Sequence, residues 1–379
     1  MVDMGSAPLE ITINFIKTVL VFLMMVQLVP ILVWVERRGS AFIQNRFGPN
    51  RVGPLGLVQL LADAVKFLTK EDFIPDKGNK FLFYAAPVFA LIPAAIAYMA
   101  IPMSTPLIVG DSKFLIQGFE INLGIVFILG ISSLAAYTIL MAGWGSGSKF
   151  SLMGAMRASA QIISYELALG LSIVGVIMTY GTFNLSEMIM AQQGPLTFTA
   201  LGSTTVFSFL PNWGIFYQPL GALIFFAATF AESNRLPFDL AEGEAELVAG
   251  FHTEYGGFKM LMFFIGEYGH MMIASGLMAT FFFGGYGIPY VSVTEMYQHL
   301  LGLTGDAGFA NILNTLVHFL SYNVKFILFL WFFIHVRWTL PRFRYDQLMD
   351  LGWKTMLPWA LANTILTAIA IFVAAQFAL

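Results

Sequence analysis

Eight long apolar stretches, each able to cross a bilayer as a helix, leave this chain few folds to choose from. A crossing takes about 20 residues, because the hydrocarbon layer is roughly 30 Å thick and each helical residue rises about 1.5 Å. The stretches fall near 11–35, 82–103, 121–142, 159–179, 213–231, 260–283, 321–340 and 355–378. Strand-like alternation is nowhere sustained, which argues against a barrel. The expected fold is therefore all-α, a polytopic membrane protein of about eight transmembrane helices forming a single membrane domain over 1–379. Composition agrees, since 58% of residues are hydrophobic and only 11% are charged, against roughly 25% charged in soluble domains. The lipid bilayer is the surrounding medium. A net charge of −3 offers no basic footprint, so nucleic acid is excluded as a partner. There is no cysteine, hence no thiolate-held zinc or cysteine-ligated iron–sulfur cluster in this chain.

The first stretch ends in Glu36-Arg37-Arg38. It is too long for a signal peptide and lacks a small-residue cleavage site, so it is expected to be a retained helix. Basic residues then orient the chain, because Lys and Arg collect in cytoplasmic loops. The odd-numbered loops hold nearly all of them, from Arg37, Arg38, Arg46 and Arg51 to Arg342, Arg344 and Lys354, whereas the even loops hold only Lys113. Lys17 and Lys325 lie within stretches near their outer ends, where a long side chain can snorkel to the interface. Both termini are expected to face the periplasm of a bacterial inner membrane.

Gly48-Pro49-Asn50-Arg51-Val52-Gly53-Pro54 is a turn by composition. After it, Gln59, Asp63, Lys66 and Lys70 repeat on one helical face and Leu57, Leu61, Ala64 and Leu68 on another. Two readings stand for this short amphipathic helix: a lipid-surface anchor, or one wall of a ligand chamber. Asp63 favours the wall, because anionic headgroups would repel it.

Glu166 and Glu267 fall inside apolar stretches, where an ionised side chain at the bilayer centre costs about 2.5–3.5 kcal/mol on insertion scales. Such groups face a protein interior or a hydrated cavity and are candidates for proton relay, with buried structural pairing as the bland alternative. A dense acidic segment follows the fifth stretch. Glu232, Asp239, Glu242, Glu244, Glu246 and Glu254 accompany the single Arg235 there, and close carboxylates titrate as a coupled set. If 241–255 is helical, Glu242 and Glu246 share a face that Glu244 does not. Glu267 and His270 have the spacing of a di-iron half-site, but no second pair exists. His252, His299, His318 and His335 show no ligand spacing either.

Several runs taken together resemble one family, the quinone-proximal membrane component of respiratory complex I. They are Glu36-Arg37-Arg38, Gln44 to Arg51 through Asp63 and Lys70-Glu71, Arg157 to Glu166, Ala231 to Tyr255, Gly266-Glu267-Tyr268, and Leu340 to Met349 with Gly352-Trp353-Lys354. The resemblance covers most of the chain. Leu60, Gly147-Ser148 and Ser233 depart from the family's usual residues without removing a charge.

The resemblance implies a chamber into which a quinone, ubiquinone or menaquinone, enters from the lipid as substrate, with no metal or flavin bound by this chain. Glu36, Arg37, Arg46, Asp63, Arg235 and Phe238 would line that chamber. Glu166, Glu232, Asp239, Glu242, Glu244, Glu246, Glu254 and Glu267 would form its wall and couple quinone reduction to proton translocation. The implied partners are hydrophilic iron–sulfur and quinone-site subunits on the cytoplasmic side and neighbouring membrane subunits of the pump. On this reading the chain is a subunit of a proton-translocating NADH:quinone oxidoreductase and holds no redox centre. The membrane anchor of a related energy-converting hydrogenase, a free-standing ion transporter and a structural scaffold are the alternatives.

Overall fold

The computed structural model describes residues 7–109, 112–200, 203–240 and 249–377. In chain order the helices begin with α1 (Ala7–Ile43), α2 (Gln59–Thr69), α3 (Lys80–Met99), α4 (Gly124–Ser132) and α5 (Leu134–Gly145). Next come α6 (Lys149–Tyr180), α7 (Leu185–Ala191), α8 (Gly214–Tyr217), α9 (Pro219–Glu232) and α10 (Gly257–Phe282). The last are α11 (Val293–Thr304), α12 (Ala307–Thr339), α13 (Tyr345–Asp350) and, after a π-helical turn over Leu351–Met356, α14 (Leu357–Phe377). Two hairpins lie between helices, β1 (Leu107–Val109) with β2 (Ser112–Phe114) and β3 (Pro195–Ala200) with β4 (Ser203–Pro211), both antiparallel.

Among the described residues seven helical spans are long and apolar enough to cross a membrane, and the chain is an all-α polytopic membrane protein. The stretch at 213–231 differs from expectation, for α9 has only 14 residues, about 21 Å at the helical rise. Pro219 has no amide to continue a helix from Tyr217, so the segment breaks there. The Gln192 carboxamide oxygen satisfies the nearby Gly214 and Gly284 amides at 3.1 and 3.0 Å.

Other helices outrun their apolar stretches. α1 continues to Ile43, so Glu36 and Arg37 sit on a helix and not in a loop. α12 starts at Ala307, well before 321, because its first turns carry buried Asn311, Asn314 and His318, which lower the hydropathy without interrupting the helix. Asp306 caps it by accepting from the Gly308 amide at 3.1 Å. The Lys325 ammonium donates to the Gly285 and Gly287 carbonyls, just past the end of α10, at 2.8 and 2.6 Å. Gly284 and Gly285 adopt φ of 71° and 49°, a turn that L side chains resist and that aims these carbonyls inward.

The bundle places α10 at its centre, where Met271, Met272, Ala279 and Phe282 are almost fully buried. Glycine brings α10 onto α3. A Cβ on Gly266 would lie 2.9 Å from the Ala90 carbonyl oxygen, and one on Gly269 would lie 2.9 Å from the Ala94 Cβ. This close seam fixes the rotation of α10, and with it the directions in which Glu267, Tyr268 and His270 project.

Candidate functional site

The segment leaving α9 is held under the bundle by neutral polar groups. The buried Gln161 of α6 donates to the Ala231 and Phe238 carbonyls at 2.8 and 2.6 Å. The Phe343 amide donates to the Pro237 carbonyl at 3.1 Å, and Arg342 pairs with Asp239 at 2.8 Å. Phe238 packs between the rings of Tyr165 and Phe343. These contacts carry Arg235 into the protein, where it is 5% exposed.

Arg235 meets α1 and α10 there, and reaches α12 through a shared carboxylate. Its guanidinium lies 3.7 Å from Glu36 of α1 and 4.1 Å over the ring of Tyr268 of α10. Arg337 of α12 pairs with the other Glu36 oxygen, and the Tyr268 hydroxyl donates to Glu36 at 2.6 Å. A carboxylate this buried survives only with cations and donors around it. Glu36 has two arginines and a phenol.

Two consecutive serines at the junction of α4 and α5 organise the next pair of carboxylates. Ser133 donates to Glu166 of α6, and Ser132 lines a cavity together with Glu232 at the end of α9. Two small cavities adjoin Glu232. One is lined by Ser132, Glu232 and His270 among apolar side chains of α4, α6, α9 and α10. The other, of about 30 Å³, is lined by Thr138, Glu232, Asn234, Glu267 and His270. That is room for a water, which needs about 10–15 Å³ and two to four polar partners. Beyond it, His252 lies 3.5 Å from Glu267. Burial pushes the His252 imidazole down to about 3, so it meets Glu267 as a neutral ring.

Of the residues expected from sequence, Glu36 and Arg235 come together in the first cluster, and Glu166, Glu232 and Glu267 line up in the second. Arg37 pairs with Asp63 at 2.5 Å and ties α2 to α1. Arg46 is exposed and bonds Gln44, apart from both clusters. Asp239 is engaged by Arg342, and Glu254 is half-buried just beyond His252. Glu242, Glu244 and Glu246 lie outside the described residues. Sequence reasoning missed Ser132, Ser133, Gln161, His252, Tyr268 and Arg337 as members of the site. Gln161, His252 and Tyr268 lay within the runs that carry the resemblance and Arg337 among the basic residues of the odd loops, whereas Ser132 and Ser133 gave no signal.

The fold and these two clusters define a class: a polytopic membrane protein with ionisable groups gathered in its interior. Comparison with known proteins narrows it. The sequence model of the family described as NADH dehydrogenase matches residues 16–368. The H subunit of NADH-quinone oxidoreductase from Bdellovibrio bacteriovorus is 71% identical, over 98% of this chain and 99% of that protein. An H subunit from Cytophaga hutchinsonii is 44% identical over 96% and 99%, and subunit 8 from Rhodothermus marinus is 44% identical over 90% and 92%. This chain belongs to that family, the H subunits of NADH-quinone oxidoreductase, and so to a multi-subunit enzyme. Each of these relatives is named as a subunit of that oxidoreductase and none as a hydrogenase anchor or a transporter.

Proposed function

We propose that this chain forms much of a quinone chamber at the membrane face where Glu36, Arg235 and Arg337 meet, and passes the effect of quinone reduction to protons through Glu166, Glu232 and Glu267. The observation that carries this reading is the pair of adjoining cavities sharing Glu232 and His270, with Glu166 reached through the serines on one side and Glu267 on the other. Reducing a quinone to a quinol consumes protons as well as electrons. Negative charge arising beside Arg235 and Arg337 competes with Glu36 for them, and a carboxylate that loses its cation gains affinity for a proton. Closely coupled carboxylates then redistribute protons along the line.

Arg37, Asp63 and α2 border the entrance on this reading, and Arg46 lies at the face where hydrophilic iron–sulfur subunits close the chamber. Phe238, Asp239 and Glu254 support its wall. The excess of Lys and Arg in the odd loops supports a cytoplasmic chamber and periplasmic termini.

Glu232→Gln in the assembled complex tests the reading. Quinone-dependent NADH oxidation and pumping should fall, while NADH oxidation by a hydrophilic artificial acceptor should stay at the wild-type rate. Unchanged quinone-dependent pumping would remove Glu232 from the path.

A further inference from the structure

The face of α12 turned into the protein changes chemistry halfway along. The adjacent Asn314 and Thr315 are buried on one side of the helix with His318 and Tyr322, which follow at steps of three or four residues. Farther along the same line the buried residues are Phe326, Phe329 and Phe333. Arg337, which closes on Glu36, comes one turn later.

The polar half holds an unusual concentration of polar atoms without partners. Asn314 Oδ1, Thr315 Oγ1, His318 Nε2 and the Tyr322 hydroxyl are buried with no hydrogen-bond partner among the described residues. The same is true of the Tyr98 hydroxyl at the end of α3 and of Thr105 Oγ1 just beyond it. All six residues are at most 4% exposed.

Contacts link several of these groups. Ser104 donates to the Thr315 carbonyl at 2.6 Å, which seats the 104–105 segment against α12. Tyr98 and Tyr322 are near enough to act on each other electrostatically. The Tyr322 hydroxyl reaches α10 at Gly276, where a Cβ would lie only 2.7 Å from it.

A buried polar atom without a partner forfeits its hydration with nothing in return, and native proteins carry few such atoms. Six in one shell of a membrane chain, where Phe or Leu would fit without that cost, point to a ligand that satisfies them. The donor set identifies its chemistry. The phenols and the threonine pair both give and accept hydrogen bonds, the Asn314 amide oxygen accepts, and no carboxylate is among them to hold a cation. Water matches that set, since a buried water makes about three hydrogen bonds to otherwise unsatisfied groups.

We propose that Tyr98, Thr105, Asn314, Thr315, His318 and Tyr322 bind a cluster of ordered water molecules, and that the phenylalanines following Tyr322 on α12 end the cluster before it reaches the Glu36 site. The seal is closely packed. Phe326 stacks on Tyr322 with ring centroids 5.6 Å apart, Phe329 packs against Phe283 at 5.0 Å, and Phe333 stacks on Phe230 at 4.1 Å. The cluster is also separate from the cavities at Glu232. Ala274 and Leu277 of α10 line those cavities, whereas Gly276 on its other side meets Tyr322. A chain that conducts protons in one half of the bilayer must interrupt hydrogen-bonded water elsewhere, and an aromatic layer does so.

Electron cryo-microscopy of the intact complex, at a resolution that shows ordered water, tests this for the wild type and for Tyr322→Phe and Tyr98→Phe. In the wild type, solvent peaks should lie within hydrogen-bond distance of His318 Nε2 and of both tyrosine hydroxyls, with none between Phe326 and Phe333. Each variant should lose the peak beside its missing hydroxyl and keep the others. Direct protein–protein hydrogen bonds among the six groups, with no solvent density between them, would overturn the water site. A row of peaks running past Phe333 would overturn the seal, and density that disappears on treatment with a chelator would overturn water as the ligand. The wild-type map decides the proposal even where a variant fails to assemble.

Discussion

The Tyr268 hydroxyl donates to Glu36 at 2.6 Å, joining α10 to α1 across 232 residues of sequence. Arg337 and Arg235 hold the same carboxylate, so four elements depend on one buried charge. Removing the Tyr268 hydroxyl costs one hydrogen bond to a charged group, about 1.5–3 kcal/mol. Removing the charge of Glu36 leaves the buried Arg235 without compensation, at about 3–5 kcal/mol. Glu36→Gln should therefore deplete assembled complex much more than Tyr268→Phe, as read by native electrophoresis of solubilised membranes. Equal depletion would mean that Glu36 is not the hub of the cluster.

Ser133 serves Glu166 through its hydroxyl alone. Ser133→Ala deletes the bond to Glu166 together with the hydroxyl's other bond, to the Leu129 carbonyl at 2.8 Å, and about 1.5–3 kcal/mol for a bond to a charged group corresponds to a tenfold effect or more. Quinone-dependent turnover should drop about tenfold in Ser133→Ala and stay near the wild-type rate in Ser133→Thr, which keeps the hydroxyl. Equal loss in both variants would point to packing rather than the hydrogen bond.

His252 lies outside the spans, and its pKa is pushed down to about 3 by burial, below the 6.5 of an exposed imidazole. The unfolded chain thus binds a proton that the folded chain refuses between those values, and stability falls as pH drops through that window. From pH 7 to pH 5 the loss is about 2 kcal/mol. Thermal dissociation of the detergent-solubilised complex at the two pH values should show it, with a smaller pH effect in His252→Leu. An identical pH effect in that variant would assign the acid sensitivity to other groups.

Arg37 and Asp63 pair where solvent reaches them, with side chains 43% and 20% exposed. Such a pair contributes about 0.2–1 kcal/mol to stability, so Asp63→Asn should leave assembly unchanged. If α2 borders the quinone entrance, the same variant raises the quinone KM and leaves kcat nearly constant. A drop in kcat at constant KM would place Asp63 deeper than the entrance.

Glu166 and Glu267 stood out in the sequence because hydrocarbon makes an isolated carboxylate conspicuous, Glu232 because it opens a dense acidic segment, and Glu36 through the Glu36-Arg37-Arg38 run of the resemblance. Their partners did not. Ser132, Ser133 and Gln161 are neutral residues that occur in any helix, and only the tertiary arrangement brings a serine to each carboxylate. Arg337 was visible as one of many cytoplasmic-type basic residues, and nothing local indicates a contact with Glu36 301 positions away. The apolar stretches located every long helix. Where polar residues occupy a buried face, as in the first turns of α12, hydropathy placed the helix start too late, and at α9 it ran across Pro219, at which the helix begins.

The most direct test of proton coupling through these carboxylates is redox-triggered infrared difference spectroscopy of the intact complex, with quinone reduction driven by NADH. Carboxyl bands should change on reduction in the wild type, and part of that change should be missing in both Glu166→Gln and Glu232→Gln while the quinone bands persist. Spectra of both variants that match the wild type throughout the carboxyl region would contradict the account.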